Sequence, residues 1–169
     1  TLPNFIVMAA SDEAELVRMI NTSTEINDKP SAFRYPRGTG LGAILPPINE
    51  KIEIGKSKII KEGKKLAILN FGARLKETIK AAENLKKKGV SLTIVDARFA
   101  KPLDENLIWQ LATSHEAIIT IEEGSIGGFG SHVVDFLSKK GLLDNNLKFR
   151  SMCFPDIFID HDTPENMYR

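Results

Sequence analysis

The stretch LTIVDARFAKPLDE, Leu92 to Glu105, constrains the fold of this chain more tightly than any other. Leu92, Thr93, Ile94 and Val95 form a short apolar run of the kind that becomes a buried strand. The run ends on two charges, Asp96 and Arg98, and Pro102 then interrupts the backbone pattern. Asp104 is placed to cap a helix whose apolar residues Leu107, Ile108 and Leu111 share one face. A strand end, a charged loop and a helix start make up the repeating unit of an open α/β sheet.

The same alternation runs on both sides. NFIVMAA is an apolar strand, Ser11, Asp12 and Glu15 supply a capping pattern, and Leu16, Met19 and Ile20 are the apolar face of a short helix. Asn27 to Pro30 make a turn before the strand SAFRY. Gly38, Gly40 and Gly42, followed by Pro46 and Pro47, mark a linker. We divide the chain at this point, with residues 1–47 as the tail of one domain plus the linker and 48–169 as a second domain. In the second part IGKSKIIKEG reads as an edge strand guarded by lysines, and KLAILNFG as a buried strand. ARLKETIKAAENLKKKG is a helix with Leu75, Ile79, Ala82 and Leu85 on one stripe. In it Glu83 and Lys87 pair at i,i+4, and Gly89 marks the end. HEAIITIEE is a further strand, Val133, Val134, Phe136 and Leu137 belong to a helix, and LKFRSMCF is the last strand. Strands alternating with helices imply right-handed crossovers and a mostly parallel sheet covered on both faces. The first part is too small to cover both faces of its strand, so it is expected to be the tail of a larger domain whose beginning is missing.

Charge and composition exclude several classes of partner. Lys and Arg number 23 against 22 Asp and Glu in 169 residues, a balance that favours neither nucleic acid nor an anionic membrane. No apolar stretch approaches the ~20 residues of a membrane span. The single cysteine, Cys153, permits no intrachain disulfide, and its MCF setting suits a buried structural thiol.

The residue best suited to bind a small anion is Arg37. Its guanidinium offers paired donors to phosphate oxygens, Pro36 fixes the backbone before it, and Gly38 lets a ligand approach. The competing reading is a surface arginine that ties the linker to an acidic neighbour. Arg34 suits a structural ion pair, and Tyr35 a packing role between domains. GSIGGFGSH lacks the G-x-G-x-x-G order and the acidic residue of a dinucleotide site. Its turn either packs tightly against a neighbouring domain or subunit, or binds an anion through exposed N–H groups. Glu122 and Glu123 are adjacent in a strand, so they face opposite ways and do not form a carboxylate pair. His115 suits a helix C-terminus, His132 lies beside the glycine turn, and His161 lies in the polar loop IDHDTPE. None has metal-ligand spacing with another.

Three segments carry a family resemblance: RYPRG (Arg34 to Gly38), DARFAKPLDE, and EEGSIGGFGSH (Glu122 to His132). Together they resemble the C-terminal region of transketolase-like thiamine diphosphate enzymes, most closely the 1-deoxy-D-xylulose-5-phosphate synthases. The resemblance spans essentially the whole chain but only the last part of that family's polypeptide. It implies a three-layer transketolase C-terminal-like α/β domain, preceded by the tail of a pyrimidine-binding domain. It also implies a parent enzyme that joins pyruvate to glyceraldehyde 3-phosphate with loss of CO2. Arg37 corresponds to the arginine that holds the acceptor phosphate, with Arg34 and Tyr35 as weaker neighbours. Thiamine diphosphate and Mg2+ would belong to the parent, since the segments that hold them have no counterpart here. This chain is therefore expected to hold no catalytic, cofactor or metal residues and to be inactive alone. Its expected partners are the remaining domains of the enzyme and a second copy in a homodimer. Its expected location is the bacterial cytoplasm or the plastid stroma. The start at Thr1 suggests a fragment. Other transketolase-like enzymes, a 2-oxoacid dehydrogenase β subunit and a non-catalytic assembly module are the alternatives.

Overall fold

The structure is a computed structural model describing residues 2–168. Two sheets meet in a shared apolar cluster, in which Ala9 and Ala100 of the smaller pack with Leu69, Val95 and Ile118 of the larger. The larger has five strands in the order β3-β5-β4-β7-β8. Its members are β3 (Lys58–Lys61), β4 (Leu66–Phe71), β5 (Leu92–Asp96), β7 (Ala117–Glu122) and β8 (Lys148–Met152). β4 runs parallel to β5 and β7, β7 runs parallel to β8, and only β3 is antiparallel. β3 is an edge, as its lysines imply.

Helices cover both faces, as the alternation requires. α2 (Leu75–Lys86) buries Leu75 and Ala82 on Ile68, Leu92 and Ile94. α3 (Glu105–Ser114) and α4 (Phe129–Lys139) bury Ile108, Leu111, Phe129, Val133 and Leu137 against Leu69, Val95 and Ile118 on the other face. Successive residues of β4 and β5 thus serve opposite layers, as strand geometry dictates. Asp104 is the N-cap of α3, with Oδ1 accepting from Leu107 N at 3.2 Å and Oδ2 from Ser57 N at 2.9 Å. Gly89, at φ +79°, ends the turn after α2. Glu83 and Lys87 do not pair, because Lys87 is already the C-cap residue of α2.

The smaller sheet has the order β2-β1-β6: β1 (Ile6–Ala9), β2 (Ser31–Arg34) and β6 (Phe99–Lys101). β6 corrects the sequence reading, which made the stretch after Asp96 a charged loop. It pairs antiparallel with β1, Val7 opposite Lys101 and Met8 opposite Phe99. α1 (Glu13–Ser23) covers one face through Met19, which packs with Ile6, Met8, Ile52 and Phe99. Ile20, expected on that apolar face, is instead 40% exposed. The other face presents Val7 and Ala9 to the α3–α4 side of the large core. The second unit of the same chain thus covers that face of β1.

The short helix α5 (Pro164–Met167) follows the last strand. Cys153, expected to be buried, is partly exposed because it follows the edge strand β8. Ile44, Ile48 and Phe158 are almost fully exposed apolar side chains on the segments outside both sheets. Among the described residues no helix is long and apolar enough to cross a membrane.

Candidate functional site

The chain leaves β4 through α2 toward β5 on one side, while β7 lies on the other. Such a reversal opens a crevice at the carboxyl ends of the strands, where open α/β sheets bind ligands. Gly72 to Arg74 follow β4 there, Glu122 to Gly128 follow β7, and the end of β2 brings Arg34 across from the smaller sheet.

Arg34 forms no ion pair with a described residue, contrary to its expected role. Its guanidinium lies 5.4 Å from the centroid of the Phe71 ring. A Cβ on Gly72 or Gly124 would sit 3.8 Å from its Nη atoms, which places the guanidinium between the turns that follow β4 and β7. Tyr35 does not pack between units. It is 59% exposed and stacks on Phe33 at 6.4 Å between centroids. Arg37 is exposed on the loop after β2 and makes no hydrogen bond or ion pair with any described residue.

The glycine turn has its own anion. Glu122 is buried, and its carboxylate accepts from Phe129 N at 3.0 Å and Gly130 N at 2.8 Å, at the first turn of α4. A carboxylate is favoured at this end of a helix by the unpaired N–H groups and the macrodipole. The spelling of the turn follows. A side chain on Gly124 or Gly128 would collide with the Glu122 carboxylate, and one on Gly130 would lie 2.7 Å from Thr120 Oγ1. Phe129 N and Gly130 N, at the start of α4, are thus taken by Glu122 and not left for an external anion.

Glu123, the first residue after β7, has different partners. It accepts from Tyr168 Oη at 2.5 Å and lies 3.0 Å from Arg74 Nε. The Arg74 guanidinium is 3.8 Å from the Tyr168 ring centroid, and Phe154 stacks on the same ring. Burial and the Glu123 carboxylate push the Tyr168 phenol up to about 12. The C-terminal segment is thereby fastened beside the crevice.

A second polar cluster joins the two sheets. Ser11 Oγ donates to Asp96 Oδ2 at 2.5 Å, and Arg98 N to Asp96 Oδ1 at 3.2 Å. Arg98 Nη2 donates to Glu15 Oε1 at 2.9 Å, and Nε lies 2.8 Å from Oε2 without hydrogen-bond alignment. Arg18 Nη1 is 3.1 Å from Glu15 Oε1, and Arg18 Nε donates to Glu50 Oε1 at 2.6 Å. Lys58 lies at 3.8 Å from the same Glu15 oxygen. Asp96 and Glu15 are almost wholly buried. Burial is the main cause that pushes the Asp96 carboxyl up to about 6, and the Glu15 charge adds to it. The Ser11 hydrogen bond and Arg98 oppose the shift. Arg98 holds φ +57°, which aims its side chain at α1 while its carbonyl accepts from Ala9 N.

Sequence reasoning read Ser11, Asp12 and Glu15 as a capping group. Only Asp12 caps, accepting from Glu15 N at 2.8 Å. The missed signal was three ionisable or hydroxyl groups set among apolar residues on either side of a strand end. His115 is the C-cap residue of α3, with Nε2 2.8 Å from Thr93 Oγ1. His132 lines a cleft at the start of β1, and His161 is exposed.

No group of three His, Cys, Asp or Glu side chains is arranged to hold a metal among the described residues. Asp96, Glu15 and Glu122 are committed to Ser11, to arginines and to backbone N–H groups. A hard cation takes several free oxygen ligands, and these residues do not offer such a set. We therefore derive no reaction step through a metal-bound cofactor.

The family model of the transketolase C-terminal domain matches residues 55–169. A solved structure described as a split-gene transketolase, an inactive β4 tetramer, is similar with a TM-score of 0.85 and 29% identity. The match covers 99% of this chain and 53% of that one. Transketolase from Campylobacter jejuni is similar in fold, with a TM-score of 0.67 at 18% identity, over 98% of this chain and 24% of that one. This chain thus spans about half the length of the first and a quarter of the second.

Proposed function

The chain belongs to the transketolase C-terminal domain family, and from that premise we propose that it is the C-terminal part of a 1-deoxy-D-xylulose-5-phosphate synthase. The reaction is the condensation of pyruvate with glyceraldehyde 3-phosphate, with loss of CO2, toward isoprenoid, thiamine and pyridoxal precursors. Thiamine diphosphate with Mg2+ supplies the electron sink, held by domains other than this one. This chain's contribution is position and charge. Residues 1–47 complete the pyrimidine-binding domain, and residues 48–169 brace it and take part in a homodimer. The enzyme works in the bacterial cytoplasm or the plastid stroma. The chain alone does not turn over.

The observation that carries this reading is Arg37. It sits in RYPRG beyond the end of β2, exposed and unpaired, where a phosphate can take both of its terminal N–H groups. Arg34, three residues earlier in the chain, lies over Phe71. The test is turnover by the intact protein supplied with thiamine diphosphate, Mg2+, pyruvate and glyceraldehyde 3-phosphate. CO2 release with formation of the five-carbon ketose phosphate supports the reading. A second reading has one observation in its favour, the 29% identity to a split-gene transketolase over 99% of this chain. A transketolase-type transfer loses no carboxylate. Two-carbon transfer without CO2 from the same preparation would decide for that reading.

A further inference from the structure

A cleft of about 380 Å3 opens at the start of β1, between the smaller sheet and the helices α3 and α4. It lies at the opposite end of β1 from Ala9, whose strand partner is Arg34. It is therefore separate from the crevice and from Arg37. Phe5, Ile54 and Leu103 give it apolar walls, and Lys29, Lys101 and His132 supply its basic groups from three different parts of the fold. Glu105 is its one acidic side chain.

The basic groups retain donors. Lys101 Nζ gives one hydrogen bond, to Leu2 O at 2.5 Å, and has two further protons. Lys29 is 3.4 Å from its sequence neighbour Asp28, which is 76% exposed, so the pair is weak. The His132 ring makes no hydrogen bond with a described residue. Apolar walls with a few convergent polar groups, in a cleft between two units, are the ordinary composition of a small-molecule site. Two ammonium groups against one carboxylate select an anion.

We propose that this cleft binds a small carboxylate with an apolar body, its head between Lys29 and Lys101 and its tail against Phe5 and Leu103. A ligand seated there touches β1 and β6 of the smaller sheet together with Glu105 of α3 and His132 of α4, and so bears on how the N-terminal unit sits against the C-terminal domain.

The test is calorimetric titration of the intact protein with hexanoate, with hexanol and inorganic phosphate as controls for tail and head. Hexanoate should bind in the millimolar range or tighter, at least tenfold better than either control. Lys29→Ala and Lys101→Met should each weaken hexanoate binding at least fivefold, while Arg37→Ala leaves it unchanged. Equal binding of hexanoate and hexanol, or equal binding of hexanoate and phosphate, overturns the proposal. So does hexanoate affinity that neither lysine variant alters, or that Arg37→Ala abolishes, since either places the ligand elsewhere.

Discussion

Ser11 Oγ donates a 2.5 Å hydrogen bond to Asp96 Oδ2 across a sequence separation of 85 residues, with both side chains buried. The bond joins the end of the first strand to the end of the fifth and fastens the N-terminal unit to the C-terminal domain. Arg98, two residues on, binds Glu15 of the same unit.

Asp96 should make stability depend on pH in a narrow window. In the unfolded chain its carboxyl releases a proton near 3.8, whereas in the fold burial holds the proton up to about 6. Between those values the folded state binds more protons than the unfolded one. This contribution is fully present below about 3.8, falls as pH rises through about 6, and is flat above. It amounts to about 3 kcal/mol. Asp96→Asn removes the titration. Urea unfolding of both proteins at pH 4 and pH 7 should show the difference between them changing by that order. A difference independent of pH refutes the assignment.

Glu15 is 2% exposed and faces Arg98, Arg18 and Lys58. Glu15→Gln strands these cations at the seam and should cost about 3–5 kcal/mol. Replacing Arg98 with Met in the same protein should recover part of the loss, because the uncompensated charge is then gone. A double-mutant cycle in denaturant measures the coupling, and strict additivity would count against it.

Glu122 should matter to folding rather than to ligand binding. Glu122→Ala leaves Phe129 N and Gly130 N without their acceptor and should cost about 1–3 kcal/mol. Gly128→Ala forces a methyl into the same carboxylate and should be comparably harmful. Thermal unfolding of the two variants checks this. An unchanged midpoint for Glu122→Ala would mean that water or another group replaces the carboxylate.

Arg37 should show the reverse profile. It is exposed and unpaired, so Arg37→Ala should alter stability by no more than about 0.5 kcal/mol. Loss of a charged contact to phosphate should lower kcat/KM for the phosphorylated acceptor by about 10–150-fold, from about 1.5–3 kcal/mol. Arg37→Lys should recover only part, since an ammonium lacks the planar fork. Acceptor kinetics in the assembled enzyme decide it, and an unchanged kcat/KM removes Arg37 from the site.

Much of the large sheet was legible in the residues. The apolar runs at Leu66–Phe71 and Leu92–Asp96, and the stripe of Leu75, Ile79 and Ala82, are local periodicities that the structure keeps. The cap at Asp104 was legible for the same reason, since its acceptor and donor lie three residues apart. Phe99–Lys101 was not. Three residues between an arginine and a proline carry no period, and their strand character comes from Val7 and Met8, more than ninety positions away. Glu15 looked like a helix-capping residue because Arg98 is invisible from its neighbourhood. The glycine turn looked like an open anion site because nothing local says that Glu122 folds back onto Phe129 and Gly130.

By itself the sequence determined the element types other than β6, the parallel layering and the placing of Arg37 beside a proline and a glycine, because short-range periodicity and backbone chemistry govern these. Only the tertiary structure decided where the charges of Asp96, Arg98 and Glu15 are spent, because burial and pairing between distant segments set the energy of a charge.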